Sequence, residues 1–169
     1  KRQAKGLEAG GAGCLLICSN TMHKMALEVQ AAVDIPLLHI GDAIAAAVHD
    51  SGAIRPLLLA TRFAMEQDFY LGYLRESHGI HAVVPKERDR MEVHRVIYEE
   101  LCQGKVLDSS KRAYMQIIDR ACSDADAPAD SVIFGCTEIG LLITPDDFSF
   151  PAFDTTVLHA EAALTFAGY

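Results

Sequence analysis

The sequence predicts an α/β protein with a parallel sheet, and three observations support this fold class. Apolar runs typical of buried strands alternate with helical patterns along the 169 residues. The runs at residues 14–18 and 132–134 are continuously apolar, as expected where helices cover both faces of a sheet. Half of the residues are hydrophobic, only 7% are aromatic and Trp is absent. This composition indicates an aliphatic core.

The predicted elements follow from apolar periodicity and from start and stop residues. Good N-cap residues, Ser19 to Thr21, follow the first strand, and Pro85 ends the fourth. Val93, Val96 and Leu101 share one helical face before Gly104 ends that helix. We predict strands at residues 14–18, 34–40, 55–60, 80–84, 132–134 and 150–153. Helices are predicted at residues 1–8, 20–33, 41–49, 61–76, 87–103, 108–123, 139–143 and 155–166.

Charge and cysteine content narrow the classes of function. Fifteen basic and 23 acidic residues give a net charge of −8, which disfavours nucleic acid and anionic membrane as partners. The five Cys are odd in number and no pair has CxxC spacing, so neither a disulfide framework nor a structural zinc site is expected. No apolar run approaches transmembrane length and no signal peptide is recognisable. These features predict a cytoplasmic protein with reduced thiols.

Three predicted strands end in small hydroxyl- or thiol-bearing residues at a predicted helix start. Ser19-Asn20-Thr21 follows the first strand, Thr61 the third, and Cys136-Thr137 the fifth. If these tips converge at the carboxyl edge of the sheet, they form a pocket of donors suited to a carboxylate. A helix N-terminus would also lower the pKa of Cys136. The alternatives are ordinary N-caps and a buried Cys acting as a small hydrophobe.

The chain resembles the cofactor-independent aspartate/glutamate racemases over nearly its whole length. The resemblance is carried, in order, by CSNTMHK at 18–24, ATRFAMEQDFY at 60–70, IYEELC at 97–102 and FGCTEIG at 134–140. It implies two pseudo-symmetric parallel α/β lobes with the active site between them. Lobe boundaries are expected at 1–52 and 53–153, with a C-terminal helix at 154–169 that returns to the first lobe. The family's leading strand and Gly-Gly-Met-Ser loop are absent, so we expect an incomplete first lobe and a fragment or processed chain.

The resemblance also implies a catalytic pair, one residue on each face of the substrate Cα. Cys136 occupies the second-lobe position, whereas Ser19 stands where the family usually has the first catalytic Cys. A hydroxyl is a far poorer base than a thiolate, which predicts an asymmetric enzyme. Cys18, one residue earlier, is expected to be a core residue. His23 could assist Ser19, with a structural His as the alternative.

The expected substrate contacts carry over in the same way. Asn20, Thr21, Thr61 and Thr137 would bind the substrate, and Glu138 would orient Cys136 or meet the substrate amine. Ala64 replaces a second Thr found in close relatives. Glu92 stands where some relatives have a Lys for the side-chain carboxylate, and Arg88 or Arg90 could compensate.

The predicted function is therefore amino-acid racemisation of the aspartate/glutamate type, without metal or organic cofactor, in a homodimer. Two alternatives remain open. One is a related maleate isomerase, hydantoin racemase or arylmalonate decarboxylase. The other is a non-catalytic ligand-binding or assembly module.

Overall fold

Two parallel sheets and eight α-helices make up the computed structural model, which describes residues 1–169. The first sheet pairs β1 (Leu15–Leu16) with β2 (Leu37–Leu38), and the second contains β3 (Pro56–Ala60), β4 (Ser131–Gly135) and β5 (Ala152–Asp154). The helices are α1 (Arg2–Ala9), α2 (Ala26–Gln30), α3 (Ile40–Ser51), α4 (Arg62–Glu66), α5 (Asp68–His78), α6 (Glu87–Glu99), α7 (Asp108–Cys122) and α8 (Thr155–Phe166). The predicted α/β class with two parallel sheets is confirmed. No helix is long and apolar enough to cross a membrane.

The second sheet carries most of the core. Its order is β3-β4-β5, all parallel, and Leu58 pairs with Ile133 while Ala60 pairs with Gly135. Every residue of β3 and β4 is buried, because helices cover both faces, and this explains their continuously apolar sequence. The main core cluster has 28 buried residues, against three in the cluster beside the first sheet. Most of the buried apolar side chains therefore belong to the cluster around the second sheet.

Helix α8 begins where the sequence predicts. The Asp154 carboxylate accepts hydrogen bonds from the backbone N–H groups of Thr156 and Val157, which caps the helix. The helix packs against α3, and Nε2 of His159 lies 2.8 Å from the carbonyl oxygen of Leu38 in the first sheet. α3 itself contributes to the main core cluster. The lobe boundaries at residues 52 and 153 stay a proposal.

The predicted strand at 80–84 is wrong. Only Val83 bridges to β3: its N–H donates to the carbonyl of Pro56, and its carbonyl accepts from the N–H of Leu58. Pro85 follows two residues later and cannot donate to a ladder, so the pairing cannot extend. Strands β1 and β2 are also shorter than predicted, with two residues each.

The predicted helices at 20–33, 61–76 and 139–143 are not continuous. The first consists of a 3₁₀ turn, Thr21–Met25, followed by α2, and the second is interrupted at the extended residue Gln67. After Cys136 there is only a 3₁₀ turn, Ile139–Leu141. Pro145 follows shortly and disfavours helical conformation in the residue before it, which limits this segment to a turn.

Gly135 is required by close packing and not by a turn. It lies in β4 and does not have a positive φ. A Cβ at this position would lie 2.6 Å from Cδ1 of Leu58, 3.0 Å from Cβ of Ala60 and 3.2 Å from the carbonyl oxygen of Leu59. The backbone of β4 therefore approaches β3 more closely than any side chain permits.

Gly135→Ala is expected to lower the free energy of unfolding by about 1–3 kcal/mol, because the methyl group overpacks a fully buried site. Urea unfolding followed by circular dichroism measures this change. Gly6→Ala is the matched control, since no atom lies within 4 Å of its added Cβ in α1. We expect that variant to be neutral or more stable. Equal midpoints for Gly135→Ala and the wild type would contradict the packing argument.

Candidate functional site

The candidate site is a cavity of 400 Å³ at the carboxyl ends of β1, β3 and β4. All seven predicted site residues line it, together with six residues that the prediction did not include. The lining consists of Cys18, Ser19, Asn20, Thr21, Met22, Thr61, Ile97, Tyr98, Cys102, Gly135, Cys136, Thr137 and Glu138. The three predicted tips therefore converge, as expected for parallel strands whose carboxyl ends share an edge.

A larger cavity, of 610 Å³, contains none of the predicted site residues. Its charged side chains pair with one another: Lys86 lies 3.0 Å from Asp124, and Arg120 lies 2.8 Å from Asp89. These two ion pairs account for four of the five charged side chains in that lining. We assign the site to the 400 Å³ cavity because all of the predicted site residues line it.

Cys136 and Glu138 form a hydrogen-bonded pair on the second-sheet side of the cavity. The Cys136 thiol donates to Oε2 of Glu138 at 2.9 Å, and the Thr137 hydroxyl donates to the same oxygen at 2.7 Å. Burial, followed by the hydrogen bond to Glu138, raises the pKa of Cys136 well above its usual value. Cys136 is therefore a protonated thiol at neutral pH.

This finding corrects the expected thiolate. The predicted helix N-terminus that would lower the pKa of Cys136 does not exist, because a short 3₁₀ turn replaces the helix. Burial acts on the neighbouring carboxyl in the same direction, raising the pKa of Glu138. The hydrogen bonds from Cys136 and Thr137 and from its own backbone N–H outweigh burial and leave the pKa of Glu138 below its usual value. The pair thus rests as thiol and carboxylate.

Glu138→Gln is expected to lower the pKa of Cys136, because the carboxylate stabilises the thiol proton through both its charge and its hydrogen bond. Alkylation of Cys136 by iodoacetamide at neutral pH should become several-fold faster. Peptide mapping by mass spectrometry separates Cys136 from the other four thiols. Glu161→Gln, on the exposed face of α8, is the control and should leave the rate unchanged. A slower or unchanged rate in Glu138→Gln would contradict the assignment.

Hydroxyl groups line both sides of the cavity, since Ser19 and Thr21 follow β1 of the first sheet and Thr61 follows β3 of the second. The Thr21 and Thr61 hydroxyl oxygens lie 2.9 Å apart, and the Ser19 hydroxyl accepts a long hydrogen bond of 3.4 Å from the Met22 N–H. Thr61 also caps α4 by accepting from the Ala64 N–H, so its predicted N-cap role is confirmed. These hydroxyls provide donors for a bound carboxylate.

Asn20 is buried and connects the two sides of the cavity. Its Oδ1 accepts from the Tyr70 hydroxyl at 2.7 Å, and its Nδ2 donates to the Thr155 hydroxyl at 2.9 Å. The Thr155 hydroxyl in turn donates to the carbonyl of Phe134, 2.8 Å away, two residues before Cys136. Of the Asn20 side-chain groups, one amide N–H is left for a ligand.

Sequence reasoning did not include Tyr70 and Thr155. Tyr70 ends one of the segments that carry the family resemblance, and Thr155 is the first residue of the helix predicted at 155–166. Both positions therefore carried a signal, although nothing in the sequence indicated that they share a partner.

Cys18 is exposed and lines the cavity, which contradicts the predicted core position. Strand β1 ends at Leu16, and the Ser19 N–H donates to the carbonyl of Ile17 at 2.8 Å in a tight turn. The strand alternation that would have buried Cys18 is therefore lost before that residue. Cys102 is a second exposed thiol of the lining that the prediction missed.

No Lys or Arg lines the cavity. Glu92 is held by Arg95 through hydrogen bonds of 2.8 and 2.9 Å. Arg90 donates to the Pro85 carbonyl and pairs with Glu66, while Arg88 lies beside Glu92 in a neighbouring surface cavity. The compensation suggested for Arg88 or Arg90 is thus not found in the cavity lining. No three His, Cys, Asp or Glu side chains are grouped so that they could hold a metal ion.

Comparison with known proteins agrees with the geometry. The model of the Asp/Glu/Hydantoin racemase family matches residues 1–163. A candidate Asp/Glu racemase from Yersinia pestis is 44% identical with a TM-score of 0.91, and the match covers 99% of this chain and 72% of that one. An aspartate racemase homologue from Pyrococcus horikoshii OT3 is 33% identical with a TM-score of 0.86 and the same two coverages. The aspartate racemase of Picrophilus torridus, at 23% identity and a TM-score of 0.76, covers 99% of this chain and 67% of its own and supports the fold. The chain belongs to the Asp/Glu/hydantoin racemase family.

Proposed function

We propose that this chain catalyses amino-acid racemisation of the aspartate/glutamate type, with Cys136 and Ser19 as the two proton-transfer groups. The observation that carries the proposal is the convergence of both residues on one 400 Å³ cavity together with the hydroxyls of Thr21 and Thr61. Inverting Cα needs one proton removed and another delivered on the opposite face. Two donor-bearing tips that face a common cavity suit this chemistry.

The substrate carboxylate would bind among hydroxyl donors. Thr21, Thr61 and Thr137, with the remaining Asn20 N–H, stabilise the negative charge that develops when the Cα proton leaves. Glu138 attracts the substrate ammonium into the cavity. The bound ammonium places a positive charge beside Cys136, which lowers the pKa of the thiol and favours the thiolate.

Proton transfer on the Cys136 side uses the existing hydrogen bond. The thiol proton passes to Oε2 of Glu138, 2.9 Å away, and the thiolate then removes the Cα proton. On the opposite face the Ser19 hydroxyl delivers its proton to the carbanion, and the resulting alkoxide takes a proton from water. Glu138 then gives the proton that it received from the thiol to the hydroxide, which restores the starting state of all three side chains. The reverse reaction requires an alkoxide as base, which is why the Ser19 direction is slower. The two groups titrate as one coupled system.

The proposed substrate is aspartate or glutamate, and the proposed assembly is a cytoplasmic homodimer that needs no pyridoxal phosphate. ¹H NMR in D₂O tests the activity by following loss of the Cα proton from the L and D forms of both amino acids. We expect exchange with at least one amino acid, faster for one enantiomer, that persists after hydroxylamine treatment. Absence of exchange from all four compounds in a folded protein would overturn the proposal. Light scattering tests the dimer separately.

One observation favours a different substrate within the same superfamily. The cavity lining contains no Lys or Arg, so no cationic side chain there would compensate for burying the side-chain carboxylate of the substrate. A 5-substituted hydantoin, which carries no carboxylate, is therefore the second candidate. Exchange at C5 of the hydantoin, without exchange of aspartate or glutamate, would favour hydantoin racemisation over the first proposal.

A further inference from the structure

His23 lies beneath the Ser19 side of the cavity and is only 4% exposed. Its Nδ1 lies 2.8 Å from the carbonyl oxygen of Ser19, and its Nε2 lies 3.1 Å from the backbone nitrogen of Ile40 at the start of α3. Both ring nitrogens are thus used by backbone groups. This arrangement confirms the structural alternative for His23 and leaves no nitrogen to assist the Ser19 hydroxyl directly.

The two contacts together determine the tautomer. The Ile40 nitrogen can only donate, so Nε2 must accept and carries no proton. The Ser19 carbonyl can only accept, so Nδ1 must carry the proton. The ring is therefore neutral and protonated on Nδ1, and an imidazolium would place an N–H of its own against that of Ile40.

The surroundings of the ring restrict it to this orientation. The His39 ring lies edge-on with its centroid 4.5 Å away, and the His159 ring lies 5.7 Å away on another side. Asp42, the carboxylate near this cluster, already accepts from the Tyr73 hydroxyl at 2.6 Å and contacts Nε2 of His78 at 2.8 Å. No acidic group is thus hydrogen-bonded to His23 to stabilise a charged ring.

We propose that His23 is a positioning residue. Through its Nδ1-protonated tautomer it holds the segment Ser19–Thr21 against the start of α3. The Ser19 carbonyl is held on one side by His23, while Asn20 is held on the other by Tyr70 and Thr155. Between these anchors, the hydroxyls of Ser19 and Thr21 keep a defined place in the cavity. The inference rests on the proposed function only in that Ser19 transfers the proton.

Two substitutions of His23 test its two hydrogen bonds separately. In His23→Asn the side-chain N–H stands near the position of Nδ1, so the bond to Ser19 is kept and the acceptor for Ile40 is lost. In His23→Gln the side-chain oxygen reaches the position of Nε2, so the acceptor is kept and the Ser19 bond is lost. A purely structural role predicts that both variants lower exchange of the two enantiomers in equal proportion.

The positioning role predicts an unequal effect. His23→Gln should slow Cα exchange of the slower enantiomer, assigned to the Ser19 face, about ten- to a hundredfold more than that of the faster one. His23→Asn should keep the ratio of the two rates within about twofold of the wild type. The same ratio in both variants would overturn the inference.

Two measurements are independent of activity and separate this inference from the proposed function. Amide hydrogen exchange at residues 19–21 should be faster in His23→Gln and unchanged in His23→Asn, even if no amino acid is turned over. The ¹⁵N imidazole shifts of the wild type should identify a neutral ring protonated on Nδ1 at pH 7. An Nε2-protonated ring or an imidazolium would overturn the inference, as would equal amide exchange in both variants.

Discussion

Cys136→Ser is expected to lower the rate of Cα proton exchange by about a hundred- to ten-thousandfold, the range of a lost general base. The Ser hydroxyl can still donate to Glu138 and nearly fills the space of the thiol. It cannot supply a base as accessible as a thiolate, because an alkoxide is much harder to form near neutral pH. The loss should be greatest for the faster enantiomer, whose proton Cys136 removes.

Exchange of both enantiomers by ¹H NMR measures this effect. Cys102→Ser is the matched control, because Cys102 lines the same cavity but forms no hydrogen bond to Glu138. We expect that variant to remain within a few-fold of the wild type. If Cys136→Ser kept a third or more of the rate, or if Cys102→Ser lost as much, the assignment of Cys136 would be wrong.

Thr155→Val is expected to lower the free energy of unfolding by about 2–4 kcal/mol. The substitution keeps the shape of a fully buried side chain but removes its hydroxyl. The Nδ2 group of Asn20 and the carbonyl of Phe134 would both lose a buried partner. Each unsatisfied polar group costs about 1–3 kcal/mol, which sets the magnitude.

Thr155→Ser is the control, because it keeps the hydroxyl and removes one methyl group, worth about 0.8 kcal/mol. Urea unfolding of the three proteins measures the order wild type, Ser variant, Val variant. The Val variant should also lose exchange activity, since Thr155 connects Asn20 on one side of the cavity with the strand that leads to Cys136. Equal stability of the two variants would show that the hydroxyl contributes nothing.

The sequence predicted the structure correctly where a residue pattern is typical of one structural element. The continuously apolar runs before Thr61 and Cys136 predicted β3 and β4, because a strand that helices cover on both faces has that composition. The convergence of Ser19, Thr61 and Cys136 followed from the geometry of parallel strands. The start of α8 at Thr155 was also predicted correctly, and the Asp154 carboxylate before it satisfies the first N–H groups of the helix.

Local sequence patterns predicted the structure less reliably where a strand is short or where a turn stands in place of a helix. Cys18 looked like the end of a buried strand, yet β1 ends at Leu16 and the thiol is exposed. The segment after Cys136 looked helical, yet it is a 3₁₀ turn, and the predicted effect on the thiol pKa is reversed. Burial and the hydrogen bond to Glu138 raise that pKa, and residue spacing shows neither how deeply the thiol is buried nor that its proton points to the carboxylate.

By itself, the sequence determined the α/β class, the buried strands β3 and β4 and the three strand ends that meet at the cavity, because these depend on composition, periodicity and strand direction. Tertiary structure alone decided that Asn20 binds Tyr70 and Thr155, 50 and 135 residues away, and that His23 joins Ser19 to Ile40. It also decided that Cys136 rests as a protonated thiol. Hydrogen-bond partners and pKa values depend on which groups share a buried space, and distant segments come to share that space only when the chain folds.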